Sequence, residues 1–135
     1  MLGGVKDSVP VKLYPLIITE TFDATREFYV DRLGSQITFD MPNYLQIRFG
    51  EPEAAPELAF MRAGIENAPP GAPFTGAGLV VSVPVESADA YAKTLQKRRI
   101  EILGPPEDRP WRWRSFHVRD PAGVILDFFH PLTDG

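Results

Sequence analysis

One order of secondary-structure signals is written twice in this chain, and that repeat constrains the fold more than any other feature. A strand, a helix and three short strands are predicted from Val11 to Met61. The same order returns from Leu79 to Phe129, at a spacing of roughly 65–68 residues, half of the 135-residue chain. Val11–Thr19 is apolar and β-branched and reads as a strand, with Pro15 marking an edge or a bulge. Thr21–Leu33 reads as a helix with Thr21 or Asp23 as cap, an apolar stripe of Phe22, Phe28, Tyr29 and Leu33, and Gly34 at the left-handed C-terminal position. Strands are then expected at Gln36–Asp40, Tyr44–Phe49 and Glu57–Met61, the last two separated by the loop Gly50–Pro56. In the second copy Leu79–Val85 is a strand and Ser87–Lys97 a helix capped by Ser87. Strands follow at Arg99–Leu103, Trp113–Arg119 and Val124–Phe129, the last two joined by the turn D-P-A-G. Asp23-Ala24 in one copy matches Asp89-Ala90 in the other.

These signals predict an α+β fold of two paired βαβββ modules. One module alone leaves a sheet face bare; two can form a curved mixed sheet around a concave cavity, with the helices outside. The expected organisation is a leader at 1–10, a first module at 11–61, a Pro/Gly-rich linker at 62–78 and a second module at 79–131, within one structural domain. Such a fold places its ligand site on the inner surface.

Composition narrows the function. The chain has no cysteine, which removes disulfides and thiolate chemistry, and only two histidines, His117 and His130. A formal charge of -4 argues against nucleic acid as partner. No apolar run is long enough for a membrane span, and the first ten residues lack the apolar stretch of a signal peptide, so the expected location is cytoplasmic. Nine Phe, four Tyr and two Trp suit a generous core or an aromatic ligand cavity.

Three stretches resemble the vicinal oxygen chelate superfamily of glyoxalases, bleomycin-resistance proteins and dioxygenases. The first is Thr25, Phe28, Tyr29, Leu33 and Gly34. The second, more specific, is Trp111, Arg114, Phe116, Val118, Asp120, Pro121 and Gly123. The third is the strand pair around Glu57-Leu58 and Leu126-Asp127. Metal-dependent members carry His or Gln in the first strand, Glu in the fourth, His in the fifth and Glu in the eighth. The resemblance puts these positions at Tyr14, Ala59, Val80 and Asp127. A divalent cation needs three or four converging O or N donors. A phenol such as that of Tyr14 is a poor metal donor, Ala59 and Val80 donate nothing, and a shift by one residue offers only further apolar side chains. The expectation is no metal site and no cofactor.

Several residues remain that could carry chemistry. Asp127 lies in an otherwise apolar strand. It is either a ligand anchor or general base, or a structural carboxylate paired with Arg114, Arg48 or His117. His117, on the neighbouring strand, is either a proton shuttle near Asp127 or a strand histidine with one hydrogen bond. His130 precedes a proline and is expected to be exposed. Trp111 and Trp113 alternate with Arg112 and Arg114 and could stack on a flat ligand, or close a sheet edge or dimer contact. The resemblance puts Trp111 alone near the ligand groove. Tyr44, Gln46 and Arg48 alternate with apolar residues and line either the cavity or an exposed face. The expected ligand-binding set is Trp111, Trp113, Tyr44, Arg48, Arg114, Phe129 and Tyr14.

The resulting expectation is a metal-free binding protein for a flat, partly aromatic small molecule such as an antibiotic, assembled as a homodimer as is common in the superfamily. One alternative is a metal-free isomerase or lyase with Asp127 as base and His117 or an arginine as acid or electrostatic stabiliser. Another is an atypical metal enzyme built on Asp127 and His117.

Overall fold

The computed structural model describes residues 10, 12–50 and 56–133. The expected leader apart from Pro10, together with Val11 and 51–55 of the loop after the third strand, lies outside the described residues.

Strand pairing divides the curved sheet into two four-stranded mixed sheets of identical topology. The first holds β1 (Leu16–Thr19), β2 (Gln36–Met41), β3 (Tyr44–Arg48) and β4 (Glu57–Arg62), in the spatial order β1-β4-β3-β2. The second holds β5 (Val80–Pro84), β6 (Glu107–Asp108), β7 (Trp113–Arg119) and β8 (Ile125–Pro131), in the order β5-β8-β7-β6. In each, the first strand of the module runs parallel to the last, and the other pairs are antiparallel.

Alternation along the strands sorts each sheet into a helix face and an inward face. Leu45, Ile47, Leu58 and Phe60 are buried on the first helix face, with Phe22 and Tyr29 in the same core. Phe116, Val118, Leu126 and Phe128 do the same in the second, with Ala92 and Leu95 of α2 (Ala88–Lys97). Each large side chain buried this way contributes about 1.5–3 kcal/mol relative to exposure.

Three local expectations are corrected. The first strand starts at Leu16 and not earlier, because Pro15 has no N–H for the ladder; its carbonyl still accepts from Ala59 N at 3.0 Å. The first helix is α1 (Phe22–Arg26) followed by a π-helical segment, Glu27–Arg32. Phe28 and Tyr29, adjacent in sequence, are both buried in that wider turn. Thr21 stands at the N-cap position, as expected, but its side chain makes no cap bond: Thr21 Oγ1 donates to Pro121 O at 2.9 Å, and Asp23 pairs with Arg62. No strand forms at Arg99–Leu103. Arg99 leaves α2 with φ +60; Leu103 N donates to His117 O of β7 at 2.8 Å, Pro105 and Pro106 then offer no N–H, and regular pairing with β7 is confined to the two-residue β6.

The modules meet through the first helix and the turn between β7 and β8. Tyr29 OH donates to Asp120 Oδ2 at 2.6 Å, while Asp120 Oδ1 accepts from Val124 N at 2.8 Å. Burial raises the Asp120 carboxyl above its ordinary range, against the lowering effect of these bonds. Burial also pushes the Tyr29 phenol well up, with the Asp120 charge adding to it. The helix ends exchange caps: Arg98 donates to Leu33 O at 2.9 Å and Arg32 to Arg99 O, placing cations at carbonyls of the C-terminal ends. Residues 63–78 form no helix or strand, yet they are docked: Phe74 N donates to Ile18 O at 2.8 Å. Gly76 lies so close to Gly123 that a Cβ on Gly123 would fall 2.6 Å from the Gly76 Cα.

Candidate functional site

The inward face of the second sheet carries a polar row in register across three strands. Ser82 of β5 pairs with Asp127 of β8, and Asp127 with His117 of β7. Ser82 Oγ donates to Asp127 Oδ2 at 3.1 Å. His117 Nε2 stands 3.1 Å from Asp127 Oδ1, but without hydrogen-bond alignment, and Oδ1 is buried with no hydrogen-bond partner. Asp127 is only 7% exposed. An orphaned buried acceptor is costly and calls for a donor. Two residues along the same face, Phe129 stacks on Trp113 with ring centroids 3.6 Å apart and planes 13° apart. The next inward position of β7, Ser115, accepts from Arg109 Nε at 2.9 Å.

The inward face of the first sheet carries a second polar group, centred on Glu57. Its carboxylate accepts from Lys12 Nζ, from Gln46 Nε2, and from Thr38 Oγ1 at 2.9 Å. Tyr44 OH donates to Gln46 Oε1 at 2.6 Å, which turns the amide so that its NH2 faces Glu57. Thr38 reaches this face because the β2–β3 register shifts between Ile37 and Phe39. Lys12 first, then Gln46 and Thr38, hold Glu57 down at about 2. Burial first, then the Tyr14 phenol and the Glu57 charge, push the Tyr44 phenol up to about 12. A cavity of about 520 Å3 opens over this group.

A separate apolar cleft of about 450 Å3 lies between the modules. Pro15, Phe49 and Leu58 line one side, and Val81, Val83 and Pro84 of β5 the other. Ser82 and Glu57 also line it, so the cleft touches both polar groups.

The expected site residues thus fall into separate places. Trp113, Phe129, His117 and Asp127 share the inward face of the second sheet; Tyr14 and Tyr44 border the cavity of the first. Trp111 sits on an exposed turn, 58% accessible. Arg48 donates to Gly50 O at 3.3 Å. Arg114 is on the helix face of β7, where alternation must put it beside inward-facing Ser115, and it binds Asp89 of α2 and Asp108. Of the partners considered for Asp127, the structure brings His117 and not Arg114. His130 is half-buried, not exposed: its Nδ1 accepts from Ala88 N at 2.9 Å at the start of α2. The Glu57 network is the group sequence reasoning missed. Alternation alone puts Glu57 on the face of Tyr44 and Gln46, so that signal was available; the bulge that delivers Thr38 left none.

The metal positions implied by the resemblance hold Tyr14, Ala59, Val80 and Asp127. Among the described residues no three His, Cys, Asp or Glu side chains converge. A metal of the family's usual kind therefore does not fit these donors. Among the described residues no helix is long and apolar enough to cross a membrane.

Comparison with curated proteins gives no match. Solved structures match over nearly the whole chain. One is a glyoxalase/bleomycin resistance protein/dioxygenase from Nocardioides, 24% identical, covering 98% of this chain and 93% of that one, with a TM-score of 0.69. An antibiotic binding protein from Streptomyces is 22% identical, covers 92% and 98%, and has a TM-score of 0.66. A bleomycin-binding protein complexed with bleomycin is 19% identical, covers 90% and 98%, and has a TM-score of 0.64. At these identities the likeness is one of fold. The sequence model of one family matches residues 13–128, a span that takes in both sheets up to Phe128 of β8. With its twice-repeated module and inward-facing cavities, the chain belongs to the Glyoxalase/Bleomycin resistance protein/Dioxygenase superfamily.

Proposed function

We propose that the protein binds a flat, partly aromatic small molecule, without a metal, on the inward face of the second sheet. The observation that carries this reading is the buried Asp127 carboxylate, one oxygen of which lacks a hydrogen bond, beside the stacked Trp113 and Phe129. A planar ligand extends that stack, and its donor reaches the carboxylate when the His117 ring turns away from Oδ1. The apolar cleft reaches Asp127 through Ser82 and gives the ligand's body a place out of water. The binding functions named for the bleomycin-binding and antibiotic binding neighbours support the same class of ligand. A two-fold pair of chains belongs to this reading, because Leu16 and Met41 expose apolar surface on the first sheet; light scattering reads the subunit count.

Tryptophan fluorescence tests the reading. Titration with a broad panel of planar natural products and drugs is expected to quench emission, and Trp113→Phe to remove the response while Trp111→Phe keeps it. Asp127→Asn is expected to weaken binding about tenfold, the loss of one charge-assisted hydrogen bond. Absence of quenching across the panel overturns the proposal.

A second reading is a metal-free isomerase or lyase with Asp127 as base, favoured by His117 Nε2 at 3.1 Å from the same carboxylate. It requires that a bound ligand be converted, followed by NMR, and that His117→Gln stop conversion while leaving affinity in place.

A further inference from the structure

The Glu57 cavity on the first sheet is separate in chemistry from the Asp127 face. Its floor is an ionised carboxylate whose side chain is 7% exposed, held by Gln46 and Thr38. Its walls are aromatic: Tyr14, Tyr44 and Phe39, the last two edge to face with centroids 5.8 Å apart. A carboxylate at the base of aromatic walls is the recognition chemistry of an organic cation, because the ring faces are negative and the carboxylate supplies the counter-charge.

The chain already demonstrates this chemistry on itself. The Lys12 ammonium is bonded to Glu57 and lies 5.9 Å from the centroid of the Tyr14 ring. It comes from the segment before β1, and its side chain is 41% exposed. A lysine this exposed can be exchanged for another ammonium, since solvent screens it and its long stem loses rotamer freedom when fixed. The carboxylate beneath it is fixed, buried and unable to leave. The net charge of -4 also favours cations near the surface.

We infer that this cavity is a binding site for an alkylammonium group, which displaces Lys12 from Glu57 and packs against Tyr14, Tyr44 and Phe39. The inference stands apart from the proposed function, since no residue of the Asp127 face takes part.

The test compares 2-phenylethylammonium with 2-phenylethanol, its neutral counterpart, by NMR titration of the whole chain. The cation is expected to bind about tenfold more tightly than the alcohol, as a partly desolvated charge pair should. Shifts are expected at the Gln46 side-chain amide and at Tyr44. Lys12→Ala removes the resident competitor and is expected to tighten the cation several-fold while leaving the alcohol unchanged. Glu57→Gln, checked for folding by circular dichroism, is expected to erase the preference. Equal affinity for cation and alcohol overturns the inference, as does Lys12→Ala with unchanged or weaker cation affinity. Shifts gathered at His117 and Trp113 overturn it too, and leave the planar-ligand reading standing. Quenching that fails across the planar panel while the cation still binds through Glu57 removes that reading and keeps this one.

Discussion

The hydroxyl of Tyr29 donates to the Asp120 carboxylate across 2.6 Å, and both groups are buried between the modules. Tyr29→Phe leaves the ring and its packing in place and removes that donor. The expected cost is about 1–3 kcal/mol in chemical denaturation, the range for stranding a buried acceptor. Its pH dependence has a definite sign. Burial raises Asp120 in the folded state, so the associated stability is full below the unfolded carboxylate range and is lost as pH rises through the folded value. Tyr29 opposes that loss by stabilising the ionised form. The Tyr29→Phe penalty is therefore expected to be larger at pH 7 than near pH 4, and a pH-independent penalty contradicts the assignment. Gly123 offers a sharper contrast. It has φ +100, and an added Cβ meets the Gly76 backbone at 2.6 Å; Gly104 has φ +96 with nothing within 4 Å. Alanine at Gly104 is expected to carry only the left-handed backbone cost, about 1–3 kcal/mol. Alanine at Gly123 adds a clash of backbone against backbone, so its melting temperature should fall well below that of the Gly104 variant.

At the scale of elements, α2 shows what local signals can and cannot convey. Its N-cap, Ser87, accepts from Ala90 N at 3.1 Å as the sequence predicts. Ser87→Ala is expected to cost about 1 kcal/mol, measured as a shift in the urea midpoint. The second acceptor at that end, His130 Nδ1 on Ala88 N, comes from β8 and is invisible to any window along the chain. The first helix fails legibility for another reason. Its apolar stripe fixes which residues go inward, but the π-helical widening that buries Phe28 and Tyr29 side by side is a tertiary accommodation with no periodicity of its own. The strand expected at Arg99–Leu103 had the right composition. The helix's left-handed exit and the two prolines confined regular pairing to Glu107 and Asp108.

For the whole molecule, the repeat made the architecture legible, because two copies of one order leave few ways to cover two sheets. Alternation likewise placed His117 opposite in facing to Phe116, and the structure then set it against Asp127. What alternation could not supply was convergence from different strands: Lys12, Thr38, Gln46 and Glu57 come from four parts of the first module, and their meeting depends on a bulge and on the segment before β1. That convergence has a stability consequence. The folded state holds Glu57 at about 2, below its ordinary value of 4.5. A depressed carboxyl contributes stability that is full above the unfolded value and is lost as pH falls through the folded one. The window is therefore between about pH 4.5 and pH 2. Glu57→Gln is expected to be less stable than the parent at pH 6, and the gap between the two is expected to close as pH falls through that window. Asp120 slopes the other way, but it is common to both proteins and cancels in their difference. Urea midpoints of the pair at pH 6, 4 and 3 check this: a gap that persists undiminished at pH 3 means that Glu57 is not the group the network holds ionised.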